Sequence, residues 1–167
     1  MAQERLIICN TSPLINLAEI GYLELLLELP GIICIAPAVA AELRAKSGLF
    51  SKAAQAVDSG KFRLLGPEDM LLVRSFSATL HHGESECLAL AMEHPGSLLV
   101  LDDLAARAAA AANGLAFTGT LGILAAAKVR GQLAALAPVL QALRSQARFW
   151  ISPQLEQLLL SETEELG

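Results

Sequence analysis

A chain of 167 residues with 54% hydrophobic and only 17% charged side chains has the core material of one folded domain, which excludes a largely disordered protein. Its net charge of −5 excludes a general nucleic-acid coat protein, whose binding rests on many Lys and Arg contacts to phosphate. No apolar stretch reaches the ~18 residues that span a bilayer, the start "MAQERLIICN" lacks a signal-peptide pattern, and Cys9, Cys34 and Cys87 form no CxxC pair, which together point to reduced core thiols, a cytoplasmic location and no membrane partner.

Aliphatic runs and helical periodicity alternate along the chain. Residues 5–9, "RLIIC", read as a buried strand that stops at Asn10, Thr11, Ser12 and Pro13, a turn and helix start. Two short helices broken near Gly21 follow over 14–29, then a strand over 32–36 and a helix from Pro37 to about Ala45. A helix over 51–60 leads to a weaker strand, 61–65, and Pro67 starts a long helix to about Leu80. Gly83 breaks the chain before a helix over 84–94. A fourth strand is expected over 97–101, a helix over 104–113 closed by Asn113-Gly114, and a fifth strand over 115–118. Helices over 121–130 and 133–146, an edge strand over 149–152 and a helix from Pro153 complete the chain. Continuous rather than alternating apolar strands joined by helices specify an α/β fold: a three-layer α/β/α sandwich on a mostly parallel sheet of about five strands.

In such a sheet, ligands bind beyond the carboxyl ends of the strands. Asn10, Thr11 and Ser12 follow the first strand, Asp102 and Asp103 the fourth, and Thr118, Gly119 and Thr120 the fifth. Glu84 and Glu86 open the helix before strand four, and Glu42 lies in the helix after strand two. Each has an ordinary structural use. One aspartate is a good helix cap, Glu84 complements a helix dipole, Glu42 suits a solvated surface, and Asn10 to Ser12 suit a turn. "TGTLG" (118–122) invites a phosphate cradle but lacks the P-loop lysine. Caps do not explain two adjacent aspartates. Carboxylates that converge without lysine or cysteine indicate a hard, oxygen-seeking cation, Mg²⁺ or Mn²⁺, of the kind that assists phosphodiester cleavage. A phosphoacceptor receiver domain also carries paired acids, but there they follow strand one and a lysine follows the last strand. Here those places hold Asn10 and "TGT".

The ordered set "CNTSPLINLAEIGYLELL", "IAPAVAAEL" (35–43), "HGESECLALA" (82–91), "LLVLDDLAAR" and "TGTLGILAAAK" (118–128) resembles the PIN-domain proteins. The similarity extends to the VapC-like toxin ribonucleases, and especially to a prokaryotic PIN-like subgroup. The resemblance covers about residues 6 to 130. It implies a Mg²⁺- or Mn²⁺-dependent endoribonuclease acting on single-stranded RNA, possible pairing with a small antitoxin protein, and a homodimer. A mean hydropathy of +0.50 and the surplus apolar positions of "LAALAPVLQALRSQ" also point to self-association. By resemblance the catalytic set is Asn10, Glu42, Glu84 and Asp103, with Asn10, Glu84, Asp102 and Asp103 around the metal. Thr11, Ser12, Glu86, Thr118 and Thr120 take secondary roles toward substrate, and Glu86 is the alternative to Glu84. The chain, 1–167, reads as a single PIN-like domain with a core of about 5–130 and a C-terminal helical extension of about 131–167. One position departs from the family, where an aspartate usually stands at Asn10. An amide oxygen ligates a metal without bringing charge, so a weakened or inactive PIN-like module that binds RNA or a protein partner stands beside the nuclease.

Overall fold

The computed structural model describes residues 4–46 and 51–164; the ends of the expected domain, 1–3 and 165–167, lie outside them. The first aliphatic run forms β1 (Leu6–Cys9), in which Ile7, Ile8 and Cys9 are each at most 1% exposed. Neighbouring side chains of a strand point to opposite faces, so burial of all three requires cover on both sides of the sheet. The chain continues as α1 (Thr11–Glu19), which starts earlier than residue 14 because Pro13 fits a first helical turn. Gly21, at φ 76, ends that helix before α2 (Glu24–Leu27) and β2 (Ile32–Ile35).

Next come α3 (Pro37–Ala45), α4 (Ser51–Asp58) and β3 (Arg63–Leu64), an edge strand shorter than the expected 61–65. The helix expected from Pro67 begins later, as α5 (Met70–Ser77), because the Asp69 carboxylate accepts from the N–H groups of Leu71 and Leu72 and fixes the cap there. Conversely, α6 (His82–Glu93) starts before residue 84, and Gly83 sits inside its first turn rather than breaking the chain. The chain proceeds through β4 (Leu98–Val100), α7 (Leu104–Ala112), β5 (Ala116–Thr118) and α8 (Thr120–Val129). The last helices are α9 (Ala137–Gln146) and α10 (Pro153–Glu162). Residues 133–136 stay outside α9 because Pro138 lacks the N–H that a helix interior needs and is placed instead in its first turn.

One expected strand is absent. Residues 149–152 join no ladder. The Phe149 N–H donates to Leu143 O at 3.2 Å and Ile151 O accepts from Arg144 Nη2 at 3.2 Å, so this backbone is satisfied by α9. Arg148, at φ 54, turns the chain away from the sheet.

The five strands are all parallel, in the order β3-β2-β1-β4-β5, and helices cover both faces in a three-layer α/β/α fold. Ile8 is in register with Cys34 on one side and Leu99 on the other. The strand order reverses between β1 and β4, which opens a crevice beyond their carboxyl ends. The Asn10 N–H donates to Val100 O at 3.1 Å, so the two strands part immediately below the polar residues. Among the described residues no helix is long and apolar enough to cross a membrane.

Candidate functional site

The crevice between β1 and β4 opens into a cleft of about 370 Å³ lined by Asn10, Thr11, Ser12, Glu42, Lys46, His81, His82 and Glu84. Asn10 is the N-cap of α1, buried at the strand end, and its side chain makes no cap hydrogen bond. Thr11, also buried, donates from Oγ1 to Glu42 Oε2 at 2.7 Å and so ties α3 to α1. Ser12 is exposed at the rim.

Glu42 occupies space that a glycine provides. A Cβ at Gly83 would stand 2.5 Å from Glu42 Oε1, so α6 approaches this carboxylate as closely as backbone allows. Glu84 follows. It is buried and accepts from the His81 N–H at 3.1 Å. Its pKa lies above the ordinary carboxyl value, chiefly because burial penalises the charged form; the charges of Asp103 and Glu42 push it further up, against the lowering effects of the His81 N–H bond and side chain. Glu84 on α6 therefore senses the charges of Glu42 on α3 and of Asp103 at the cap of α7.

The two adjacent aspartates divide. Asp103 is exposed, caps α7 by accepting from the Ala106 N–H at 2.9 Å, and faces Glu84 closely enough for their charges to interact. Asp102, expected beside the metal, has both oxygens engaged instead. Oδ1 accepts from the Thr120 N–H at 2.8 Å, and Oδ2 accepts from Thr120 Oγ1 at 2.6 Å and from Asn16 Nδ2 at 2.9 Å. It joins the end of β4 to α1 and α8.

Glu86 is turned about 200° from Glu84 at ~100° per residue and serves another helix. Its Oε2 accepts from the Ala38 N–H at 2.8 Å, satisfying the first turn of α3, and its Oε1 lies 3.3 Å from His82 Nε2. Thr120 belongs to the Asp102 network, and Thr118 Oγ1 packs on α8 at Gly122, where a Cβ would collide with it. Of the residues singled out in the sequence, Asn10, Thr11, Ser12, Glu42, Glu84 and Asp103 share the cleft or its electrostatics. Asp102, Glu86, Thr118 and Thr120 hold the surrounding elements in place.

Sequence reasoning missed Asn16 and Arg107. A signal existed for the first, since Asn16 is a polar residue on the mostly apolar buried face of α1. Arg107 hides in an alanine-rich helix, where nothing in the spacing marks it.

The cleft offers oxygen donors from the Asn10 amide, the Glu42 and Glu84 carboxylates and the Thr11 and Ser12 hydroxyls, with Asp103 interacting with Glu84 by charge. Lys46, His81 and His82 add nitrogen groups, so the expectation of carboxylates without a nearby lysine does not hold. The oxygen donors suit a hard divalent cation that keeps several waters and takes only one or two carboxylates from the protein. Among the described residues no three His, Cys, Asp or Glu side chains stand close enough together to hold a metal ion unaided. A family model described as a PIN domain matches residues 6–165 of the chain. No curated protein and no solved structure matches it.

Proposed function

The chain belongs to a PIN-domain family, a nuclease-type module generally dependent on divalent metal, and from that premise we propose that it is a Mg²⁺- or Mn²⁺-dependent endoribonuclease acting on single-stranded RNA. The observation that carries the reading is Glu84: a buried carboxylate at a sheet switch point, held beside Asp103 and Glu42, whose ionised form the fold disfavours. Buried like charges destabilise a protein, and perturbed carboxyls in a cleft mark sites of chemistry more than of support.

In this proposal Glu84 and Asp103 hold the cation, with the Asn10 amide oxygen as a neutral third donor. When bound, the ion stabilises developing phosphoryl charge and lowers the pKa of water. Glu42, oriented by Thr11, faces the same cleft as an acceptor for a proton from water. Asp102 keeps the end of β4 fixed so that Asp103 stays at the mouth of the cleft. Ser12 at the rim offers a hydroxyl to the substrate. We also read the chain as one domain, a core of about 5–130 with its extension; the span of the family match supports this. The further assignment, a cytoplasmic toxin paired with a small antitoxin and acting as a homodimer, rests on family resemblance.

A second reading has its own support. Asn10 supplies no charge, Asp102 is fully hydrogen-bonded, and among the described residues no three acids gather tightly enough to hold a metal unaided. In that reading the cleft binds RNA or a protein partner without cutting. Asn10→Asp separates the two. If the site is a weakened nuclease, the variant binds Mn²⁺ more tightly and cuts single-stranded RNA at least about tenfold faster, the scale of ligand-shell changes. Asp103→Asn is the background control. If neither the wild type nor the variant cleaves and the variant gains no metal affinity, the binding-module reading takes over.

A further inference from the structure

Among the described residues, one buried side-chain polar group outside the acid cluster is left unpaired by the fold. Arg107 stands on α7, four residues after Asp103, in a half-buried position. Its Nε is buried and meets no hydrogen-bond partner among the described residues. The ring of Phe117 on β5 lies against it, with Cζ 5.4 Å from the ring centroid, a cation–π arrangement that holds the guanidinium without using its N–H groups. Buried donors without acceptors are rare because each forfeits its bonds to water, and each such group calls for a reason.

The chain makes room for this side chain. A Cβ at Gly119 would stand 2.9 Å from Arg107 Nη2, 2.8 Å from Asp102 Oδ1 and 2.9 Å from Leu101 O. The glycine of "TGTLG" therefore admits a guanidinium to the carboxyl end of the sheet. Asp102 borders the same glycine, but its hydrogen bonds go to Asn16 and Thr120. The unpaired Nε is itself sealed from solvent, but the side chain as a whole is only half-buried. A guanidinium braced on an aromatic ring and committed to no acceptor at Nε can therefore turn its fork toward an incoming phosphate. A chain of net charge −5 that meets a polyanion needs local cations of this kind.

We propose that Arg107 binds a backbone phosphate of single-stranded RNA next to the one over the acid cleft, and so directs the strand across the β4–β5 side of the sheet. This rests on the reading of the cleft as an RNA site. The test measures binding of a labelled single-stranded RNA oligonucleotide by fluorescence anisotropy in EDTA at several salt concentrations, in an Asp103→Asn background that lowers repulsion and prevents cutting. Arg107→Gln and Arg107→Lys are compared with that parent, and each protein is melted. One phosphate contact on a single strand is worth about 0.7 in the slope of log K against log salt. Arg107→Gln loses about that much slope and binds several-fold more weakly at low salt, while Arg107→Lys keeps the slope. A Gln variant with the parent's slope overturns the proposal, whether or not its melting temperature falls, and so does a parent that binds no oligonucleotide. Cleavage by the wild type in Mn²⁺ is scored separately. If it is absent while the slope difference stands, the nuclease reading fails and the phosphate contact survives; cleavage with no slope difference is the reverse.

Discussion

Replacing Gly83 with alanine perturbs the cleft through a single methyl group. The new Cβ meets Glu42 Oε1 at 2.5 Å, Glu42 Cδ at 3.3 Å and Val39 Cγ2 at 3.4 Å. The tolerable contact is with Val39; the one that must yield is the carboxylate, the far end of a flexible side chain. Its displacement breaks the 2.7 Å bond from Thr11, which as a hydrogen bond to a charged group contributes about 1.5–3 kcal/mol. Alanine in a helix offsets about 1 kcal/mol of that relative to glycine. The net cost is about 0.5–2 kcal/mol, a fall of a few degrees in Tm for a chain of this size. The fold therefore survives while Glu42 is misplaced, and cleavage of single-stranded RNA falls at least about tenfold. Melting curves and cleavage rates are measured for Gly83→Ala, Thr11→Val and the double variant. Because both single changes break the same bond, their effects on stability are sub-additive. Strict additivity, or undiminished cleavage by Gly83→Ala, refutes the reasoning.

Asp102→Asn and Asp103→Asn differ in kind. The first weakens a network of three hydrogen bonds and lowers Tm more than the second, which disturbs one cap bond, whereas the second abolishes the rise in Tm produced by Mn²⁺; a larger Tm loss in Asp103→Asn counts against this division. In metal-free protein, the raised pKa of Glu84 means that its ionisation opposes folding. Its favourable contribution is present below the ordinary carboxyl range and is lost as pH rises through the raised value. Glu84→Gln, melted in EDTA, is thus more stable than wild type at pH 7, and the difference shrinks as pH falls toward about 4; a pH-independent difference excludes burial and like-charge repulsion of the ionised carboxylate as its cause.

The central strands β1, β2 and β4 were legible because each is a run of mostly aliphatic residues bounded by turn chemistry and buried on both faces. The edge strands β3 and β5 are shorter and more exposed and left a weaker signal. The rule for parallel sheets put Asn10 and Asp103 at one edge of the sheet with many other polar residues, and the resemblance to PIN domains singled out Asn10, Glu42, Glu84 and Asp103 from among them. The division of labour between Asp102 and Asp103 was not legible. It is set by Asn16, 86 residues away, and by Thr120, 18 residues away, whose hydroxyl and N–H both reach Asp102. The segment 149–152 misleads for a related reason. Its aromatic and β-branched residues suit a strand, but the left-handed turn at Arg148 and the reach of Arg144 to Ile151 O commit its backbone to α9. Contacts distant in sequence decided the first case, and a backbone turn outside the segment decided the second.

The amide at position 10 follows from the same electrostatics. The charged form of Glu84 is already disfavoured, chiefly by burial and further by the charges of Asp103 and Glu42. A fourth carboxylate at Asn10, buried where β1 and β4 part, adds repulsion that only a bound cation relieves. An amide has nearly the same shape, retains an oxygen donor and adds no charge, so the metal-free fold is more stable with it. In the proposed nuclease the same exchange weakens the hold on a cation. Stability without metal and affinity for metal are therefore opposed at this one position, in the way that functional sites commonly oppose the stability of the fold around them. Asp102 differs because three hydrogen bonds from Asn16 and Thr120 engage its two oxygens, so in the proposed site Asp103, exposed and with one cap bond from Ala106, is the aspartate of the pair able to turn toward a cation.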